Sequence, residues 1–398
     1  MISGEVAIIG MGCTRFTDHF DKNYSDLVVE AAFEALADAG IGPEAVEAAW
    51  LGTCYAYEYN TEGNAGSSLA DPLGLFPIPV TRVANYCATG LDAIRNAAFA
   101  VASGQYDVVL VVGVEKMRDV PPRGSLVAVH AERTHPVLAK GRTAPGIFGP
   151  MARRYSHVYG DAKQYMAMVA VKNHYNGSLN PKAHFQRPLT MEEVLAAPMA
   201  ADPIGLLDCT PTSDGAAAVV LTRSSLARRH KQDYVVIKGI GLSVTNGYFS
   251  AQFDQEWDFL GFSSTREAAR QAYKQAGITD PAKQIHVAEV HDCFTITEIL
   301  NYEDLGFCEK GMGTALVAGG HTSLDGKLPV NTSGGLQSCG HPIGASGVRM
   351  VIDVGNQLLG RAGKRQVKGS PSVGLTHALG GPGSVAGVSV LGLPTRKG

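Results

Sequence analysis

A weak internal repeat constrains the fold of this chain more than any other feature of its sequence. Residues 30–41 and 267–278 are both alanine-rich helical patterns that stop at a glycine, as a C-terminal cap would. A short loop and a strand follow each of them, at residues 48–52 in the first half and 286–290 in the second. Because the flanking elements occur in the same order, we predict two similar α/β halves rather than a chance likeness between two helices.

Residues 118–205, between the repeats, differ in character from the rest of the chain. They carry Pro121-Pro122, scattered charges and several histidines, which is typical of an inserted, loop-rich region with a few helices. A buried strand at residues 216–221 then returns the chain to the core. The predicted divisions are an N-terminal half at 1–117 and 206–250, an inserted loop domain at 118–205, and a C-terminal half at 251–398.

The composition limits the classes of function that the chain can have. Its 398 residues suffice for two or three domain-sized units, and its net charge of −3 gives no basic field for a nucleic acid. No apolar run reaches about 18 residues, so no membrane-spanning helix is expected. The seven cysteines have no metal-motif spacing and are odd in number, so we expect neither structural disulfides nor a metal site. With no signal-peptide pattern at the start, a cytoplasmic protein is expected.

Cys87 lies in a strand–turn–helix pattern that can present a nucleophile. A strand pattern at residues 78–83 precedes it, a helical pattern at 91–98 follows it, and a buried strand returns at 108–113. Backbone N–H groups and the helix dipole at such a position favour a thiolate, and the same amides can hold an oxyanion. A lone cysteine is more often a small buried hydrophobe, so this interpretation depends on the motifs near the C-terminus.

Three further segments carry reactive side chains, at residues 291–294, 339–344 and 374–381. Together with residues 85–90, they make the chain similar over nearly its full length to the thiolase superfamily, and especially to its sterol-carrier-protein and archaeal types. The His-Asp-Cys-Phe sequence of the first segment is specific to that branch, and the Gly-His-Pro sequence of the second is also highly specific. The resemblance implies the thiolase fold, in which duplicated α/β halves stack as five αβαβα layers with an inserted loop domain.

The resemblance also implies roles for individual residues. Cys87 matches the nucleophile that is acylated, and His341 matches the histidine that takes its proton and helps to bind the enolate oxygen. His377 replaces the usual second cysteine, as in the sterol-carrier branch, and Cys293 then becomes the acid/base residue. His377 would lower the pKa of Cys293 or orient its thiol. His291 stands where ordinary thiolases have an asparagine that fixes an oxyanion-hole water.

Purely structural roles stay open for three of these residues. His291 and Cys293 could be packing residues at the end of a strand, and His377 could be a hydrogen-bonded core histidine. The resemblance implies that backbone amides of Cys87 and of residues 378–380 form an oxyanion hole. No tightly bound cofactor is expected, and coenzyme A is the co-substrate. The predicted coenzyme A contacts are Leu379, Gly380 and Ser346.

The activity that the resemblance implies is acyl-CoA C-acyltransfer. Coenzyme A would cleave a 3-oxoacyl-CoA into two products, of which one is acetyl-CoA or another shorter acyl-CoA and the other is an acyl-CoA. The reverse reaction would be a Claisen condensation. Either direction would proceed through an acyl-Cys87 intermediate. A thiolase-like retro-aldolase and a non-catalytic scaffold subunit are the alternatives. Cys87 argues against the first, and the reactive residues at four motif positions argue against the second. The acyl group stays open among acetoacetyl, branched, steroidal and aromatic 3-oxoacyl-CoAs.

The resemblance extends to assembly, for which a homodimer or a dimer of dimers is expected. Archaeal-type members work with a separate small protein that combines a zinc ribbon with an OB-fold. Apart from Arg153-Arg154, the inserted region has no dense basic cluster for the phosphates of coenzyme A. We therefore expect a partner of this kind to complete the coenzyme A site.

Overall fold

The protein is a mixed α/β structure, seen in a computed structural model that describes residues 2–55, 62–120, 143–245 and 258–394. The strands are β1 (Val6–Cys13), β2 (Ala48–Gly52), β3 (Val80–Val83), β4 (Val108–Glu115), β5 (Met199–Ala201), β6 (Ile204–Gly205), β7 (Gly215–Arg223), β8 (Val235–Val244), β9 (Val287–Glu289), β10 (Val373–Gly380) and β11 (Val385–Gly392). The α-helices are α1 (Tyr24–Ala39), α2 (Ser67–Leu73), α3 (Thr89–Ala102), α4 (Ala144–Tyr159), α5 (Lys163–Ser178), α6 (Met191–Leu195), α7 (Ser224–His230), α8 (Ser263–Ala276), α9 (Pro281–Gln284), α10 (Thr295–Asp304), α11 (Gly313–Ala318), α12 (Gly335–Cys339) and α13 (Ile343–Leu358).

Nine of these strands form one sheet, and its two halves repeat the same pairing pattern. The strand order is β3-β2-β4-β7-β1-β8-β11-β10-β9. In the first half, β1 pairs with β7 and β7 with β4 antiparallel, whereas β4 pairs with β2 in parallel. In the second half, β8, β11, β10 and β9 repeat these directions in the same order. The predicted duplication of an α/β unit is confirmed.

Strand β8 joins the two halves of the sheet. It pairs with β1 over three residues and with β11 over eight, so β8 lies in the second half, next to the first strand of the other half. The domain boundaries at residues 117, 206 and 250 stay predictions.

Both helices of the sequence repeat end at a glycine in the left-handed conformation. Helix α1 stops at Gly40, with φ +72°, and α8 stops at Gly277, with φ +71°. A capping box between Asn23 and Asp26 starts α1. Because glycine adopts positive φ without steric cost, both helix ends follow from the sequence, as predicted.

The helices lie outside the two halves of the sheet and between them. Helix α1 packs on β1, β4 and β7, and α8 packs on β8 and β11. Helices α3 and α13 pack against each other, and α13 also contacts strands of both halves. Fifteen of the sixteen residues of α13 are buried, as expected for a helix enclosed between two layers. The five-layer αβαβα arrangement is confirmed.

Residues 118–120 and 143–205 of the predicted insert are described, and the longer stretch contains the helices α4, α5 and α6 and the two-stranded β5–β6 sheet. Helix α5 packs on α10, α11 and α12, so it lies against the segments that carry His291 and His341. Residues 121–142 of the insert lie outside the described residues. Among the described helices, none is both long and apolar enough to cross a membrane.

Close packing between α13 and β4 requires glycine at position 113. A Cβ on Gly113 would lie 2.3 Å from the carbonyl oxygen of Gly344 and 3.0 Å from the Cα atom of Ala345. Gly52, its register partner on β2, is different, because a Cβ there would lie 3.4 Å from the nearest side-chain carbons. The two glycines therefore form a matched pair for testing the tightness of this layer.

We expect Gly113→Ala to lower the free energy of unfolding by about 2 kcal/mol or more, because the backbone of α13 must move to relieve the overlap. Gly52→Ala introduces the same methyl group at ordinary van der Waals distance and should cost clearly less. Urea denaturation of both variants measures the difference. Equal losses in the two variants would contradict the close approach.

Candidate active site

Cys87 lies in a strained turn between β3 and α3. Tyr86, immediately before it, has φ +47°, in the left-handed region that residues other than glycine rarely adopt. The hydroxyl of Thr89 donates to the Tyr86 carbonyl (2.6 Å) and accepts from the backbone N–H of Asn85 (2.7 Å). These hydrogen bonds hold the turn, and they place a half-buried thiol just before the first residue of a central helix.

The end of β10 closes against this turn. A Cβ on Gly380 would lie 2.8 Å from the backbone nitrogen of Cys87, so only glycine allows the two backbones to approach. Leu379, the preceding residue, is buried. The backbone of β10 therefore runs beside the backbone nitrogen of Cys87, and an oxyanion hole formed by the two segments stays a prediction. The contacts of Leu379 and Gly380 with coenzyme A stay predictions.

His341 is held in one tautomer by the start of α13. Its Nδ1 atom lies 2.7 Å from the hydroxyl of Ser346, and that hydroxyl donates to the carbonyl of Pro342 at 2.9 Å. Because the Ser346 hydrogen is used in this way, Nδ1 carries the proton and Nε2 keeps its lone pair. Ser346 is buried and orients the His341 ring, and its contact with coenzyme A stays a prediction.

The structure brings Cys87, His291 and His341 together. The Cys87 sulfur and one ring nitrogen from each histidine all lie within 4.8 Å of one another. The two imidazole rings meet edge to face, with centroids 5.3 Å apart. Within the described residues, Nε2 of His341 and Nδ1 of His291 are buried and have no hydrogen-bond partner. Three reactive groups from segments more than 40 residues apart thus form one cluster, and the two unpartnered ring nitrogens can hydrogen-bond a substrate.

Burial sets the charges in this cluster. It raises the pKa of the Cys87 thiol well above its usual value, and Cys293, Cys54 and Glu115 act in the same direction. Burial, with the charge of Arg349, lowers the pKa of His341 to about 3. At neutral pH the resting site therefore holds a neutral thiol beside a neutral imidazole. The thiolate expected at the helix N-terminus is therefore disfavoured at rest, because desolvation outweighs the backbone hydrogen bond that favours the charged form.

The histidine rings should therefore stay neutral under mildly acidic conditions. We expect ¹⁵N NMR of ring-labelled protein to show His341 as the Nδ1–H tautomer, unprotonated at pH 5, because its pKa is lowered to about 3. The same labelled protein unfolded in urea provides the control, since unfolded histidines have the ordinary value of about 6.5. A His341 ring that gains its second proton near that ordinary value would contradict the buried, neutral site.

Cys293 lies in the loop between β9 and α10, close enough to Cys87 to raise the pKa of its thiol. Its sulfur contacts the hydroxyl of Thr297 at 3.7 Å, and its carbonyl accepts from the backbone N–H of Thr210. Burial raises the pKa of Cys293, so this thiol also carries its proton at neutral pH. A protonated thiol near the nucleophile has the state that a proton donor needs.

Two buried carboxylates anchor this loop, and sequence reasoning gave neither of them a role. Asp292 accepts from the backbone N–H of Leu336 (2.6 Å), in the helix that leads to His341. The side-chain amide of Asn173, on α5, donates to Asp292 (2.8 Å) and to Glu298 (2.7 Å). Lys172 forms an ion pair with Glu298. Burial, with the charge of Glu298, raises the pKa of Asp292. The network fixes the His291–Cys293 loop against the His341 segment.

His377 contacts groups other than the predicted ones. Its Nε2 atom lies 3.0 Å from the hydroxyl of Thr265, and its Nδ1 accepts from the backbone N–H of His291 at 3.4 Å. Both ring nitrogens are thus occupied, and burial lowers its pKa to about 3. A neutral ring cannot lower the pKa of Cys293 by its charge. In this structure His377 orients the backbone of His291, and an orienting role toward the Cys293 thiol stays a prediction.

Glu115 is a third buried carboxylate without a predicted role. Its buried carboxylate accepts from the backbone N–H groups of Cys54 (3.1 Å), Tyr55 (2.9 Å) and Gly344 (2.9 Å). It therefore ties the loop after β2 to the start of α13. An acidic residue that ends the otherwise apolar strand at 108–115 is the sequence signal that could have shown the role of Glu115.

A cavity of about 310 Å³ lies beside Arg349 and Asp353, and none of the predicted site residues lines it.

Comparison with known proteins gives the same family for both halves. The model for the thiolase N-terminal domain matches residues 6–225, and the thiolase C-terminal domain-like model matches residues 247–393. Acetyl-CoA acetyltransferase of Methanothermobacter thermautotrophicus is 42% identical, over 97% of this chain and 99% of its own. Acetyl-CoA acetyltransferase of Methanocaldococcus jannaschii is 37% identical, over 97% of this chain and 98% of its own.

Two further proteins extend the comparison. Sterol carrier protein 2 of Gallus gallus is 35% identical over 96% of this chain, which spans 70% of that protein. A solved structure, "Ltp2-ChsH2(DUF35) aldolase", has a TM-score of 0.83 and 25% sequence identity, and the match covers 99% of each chain. With two domain models across its length and relatives matched almost end to end, this chain belongs to the thiolase family of acyl-CoA C-acyltransferases.

Proposed function

We propose that this protein is a thiolase that cleaves a 3-oxoacyl-CoA with coenzyme A, or catalyses the reverse Claisen condensation, through an acyl-Cys87 intermediate. The observation that carries the proposal is the cluster of the Cys87 sulfur with ring nitrogens of two buried histidines. The relatives at 42% and 37% identity are named acetyl-CoA acetyltransferase, which supports the same chemistry. The products would be acetyl-CoA, or another shorter acyl-CoA, and an acyl-CoA.

The first half-reaction begins with a proton transfer from Cys87 to His341. The thiol is neutral at rest, so its sulfur attacks the keto carbon as Nε2 of His341 takes the proton. Nε2 then carries a hydrogen and can donate it to the oxygen of the departing enolate. Backbone N–H groups at Cys87 and at the end of β10 would hold the oxyanion of the tetrahedral intermediate.

Cys293 completes the half-reaction. When the bond between the keto carbon and the α-carbon breaks, its thiol protonates the α-carbon and acetyl-CoA forms. The proton held by His341 then returns to the Cys293 thiolate, which is favourable because burial disfavours both charges. In the second half-reaction, the thiol of coenzyme A attacks acyl-Cys87, and its proton ends on the Cys87 sulfur.

A retro-aldolase is the second candidate, because the similar solved structure is named an aldolase. Retro-aldol cleavage splits a β-hydroxyacyl thioester into a carbonyl compound and an acyl-CoA. It forms no acyl-enzyme and consumes no free coenzyme A. The presence of Cys87 in the cluster favours thiolysis over this alternative.

The proposed assembly is a homodimer or a dimer of dimers, in the cytoplasm, with coenzyme A as co-substrate and no tightly bound cofactor. The structure shows no disulfide between the cysteines in its described ranges, which supports a reducing compartment. The similar solved structure carries DUF35 in its name, which supports a small zinc-ribbon/OB-fold partner that completes the coenzyme A site. Copurification from the native host, followed by coenzyme A binding with and without the captured protein, tests this partner.

The function is tested by product analysis with a panel of acetoacetyl, branched, steroidal and aromatic 3-oxoacyl-CoAs, plus the matching β-hydroxyacyl-CoAs. We expect conversion of a 3-oxoacyl-CoA with one coenzyme A consumed for each pair of acyl-CoA products. Conversion of a β-hydroxyacyl-CoA to a free aldehyde or ketone, without consumption of coenzyme A, would replace the thiolase by the aldolase. The assay is run with the native partner, if one is captured.

A further inference from the structure

The Cys87 cluster has the composition and spacing of an incomplete metal site. One sulfur and two imidazole nitrogens, from Cys87, His291 and His341, lie within 4.8 Å of one another. The three residues come from separate loops, so no metal-binding motif of short spacing is visible in the sequence. In a tetrahedral zinc site with bonds of about 2.0–2.3 Å, neighbouring ligand atoms lie roughly 3.3–3.7 Å apart. The distances between the ligand atoms therefore need to shorten by about 1.5 Å at most.

Each of the two histidines also has a ring nitrogen that is free to bind an ion. Nε2 of His341 keeps its lone pair, because Nδ1 is the nitrogen that bonds Ser346. Within the described part of the chain, this Nε2 atom and Nδ1 of His291 are buried and without hydrogen-bond partners. The Cys87 side chain is half-buried, which gives an ion a route from solvent. A buried polar atom without a partner destabilises the folded chain, and coordination would remove that penalty.

We propose that Cys87, His291 and His341 form an inhibitory binding site for a thiophilic divalent cation, with Zn²⁺ as the reference ion. The three protein ligands leave a fourth position for water or for the thiol of coenzyme A. One sulfur and two imidazole ligands select zinc and cadmium over magnesium and calcium, which prefer oxygen. The ion displaces one proton from the Cys87 thiol as the metal–sulfur bond forms, and no electrons are transferred.

The inhibition rests on the proposed function, whereas the binding does not. A bound ion occupies the sulfur that would attack the keto carbon and the nitrogen that would take its proton. Acylation and metal binding therefore exclude each other, and removal of the ion restores the enzyme. The chain would lose activity when free zinc rises and regain it when zinc is chelated.

Cobalt provides a direct test, because a Co²⁺–thiolate bond absorbs in the near ultraviolet. We expect one Co²⁺ per chain with this absorption band, displacement by Zn²⁺, and no displacement by excess Mg²⁺. Calorimetry of Zn²⁺ binding in buffers of different ionisation enthalpy should report release of about one proton. Absence of the thiolate band, or more than one equivalent needed to produce it, would overturn the site.

Variants and protection separate this site from other thiols. Cys87→Ala and His291→Ala should each weaken Zn²⁺ binding by at least about a hundredfold. Cys308→Ser removes a half-buried thiol outside the cluster and should leave the affinity unchanged. In the unaltered protein, one equivalent of Zn²⁺ should protect Cys87 from alkylation, as read by peptide mass mapping. Full Zn²⁺ affinity in Cys87→Ala would refute the proposal. Alkylation of Cys87 at an undiminished rate in the presence of Zn²⁺ would also refute it, and this test uses the unaltered protein and does not depend on the folding of any variant.

If the ion binds as described but the chain proves not to be a thiolase, the binding measurements stand and only the inhibition is withdrawn. If thiolase activity is present and Zn²⁺ at saturating occupancy leaves it unchanged, the inhibitory role is wrong. Chelation after inhibition supplies the reversibility control, since oxidation of the thiol would not be reversed by a chelator.

Discussion

Replacing Cys87 by serine should reduce turnover to below about one hundredth of the unaltered level, because loss of an essential nucleophile removes several decades of rate. The hydroxyl of serine is a far weaker acid than a thiol, and the neutral imidazole of His341 is a weak base in its buried setting. Proton transfer from a serine would therefore be much less favourable than from Cys87. Steady-state thiolysis of the preferred 3-oxoacyl-CoA measures the effect.

Cys308→Ser is the matched control for this substitution, since it changes a half-buried thiol outside the cluster. Its activity should stay near that of the unaltered protein. Both variants should unfold at nearly the same temperature as the parent, because sulfur and oxygen differ little in size. More than about a hundredth of the activity in a correctly folded Cys87→Ser protein would remove Cys87 as the nucleophile.

Replacing Cys293 by alanine should separate acylation from carbon–carbon bond chemistry. Cys87 and His341 remain in this variant, so slow acylation of Cys87 by a simple acyl-CoA should persist. Burial raises the pKa of Cys293 and keeps its thiol protonated, which is the state that protonates the α-carbon. Without that thiol, 3-oxoacyl-CoA cleavage and exchange of the α-protons of acetyl-CoA should fall below detection. Mass spectrometry in heavy water measures the exchange.

Cys209→Ala provides the comparison for this experiment. Cys209 lies near Cys293, is also half-buried and has no proposed role. The variant should retain acylation, cleavage and exchange. Unchanged deuterium exchange in Cys293→Ala would give the acid/base role to another group, and His377 would not be that group while both of its ring nitrogens are occupied.

The fold was predictable because its signals are local and repeated. The glycines that end α1 and α8 are visible in the sequence, and each is followed by the same order of elements. A continuous run of apolar residues, such as that of β4, predicts a strand that is buried on both faces. The merging of the halves into one nine-stranded sheet through β1 and β8 was not predictable, because it depends on pairing between strands that lie more than 200 residues apart.

The identities of the clustered residues were also predictable, but their charge states were not. Motifs indicated Cys87, His291 and His341, which the structure places together. Protonation depends on desolvation by segments that are distant in sequence, and the helix N-terminus alone suggested the opposite state for Cys87. The hydrogen bonds of Ser346 with the His341 ring and of His377 with the backbone of His291 likewise depend on packing, so the motifs alone could not predict them.

The acyl-enzyme itself is the most direct test of the account. The protein is mixed with the preferred 3-oxoacyl-CoA in the absence of free coenzyme A, quenched in acid and analysed by intact mass and peptide mapping. We predict a mass increase of one acyl group, located on Cys87, that disappears when coenzyme A is added and never forms in Cys87→Ala. Turnover without an adduct, or an adduct located on Cys293 or any other residue, would contradict catalysis through acyl-Cys87.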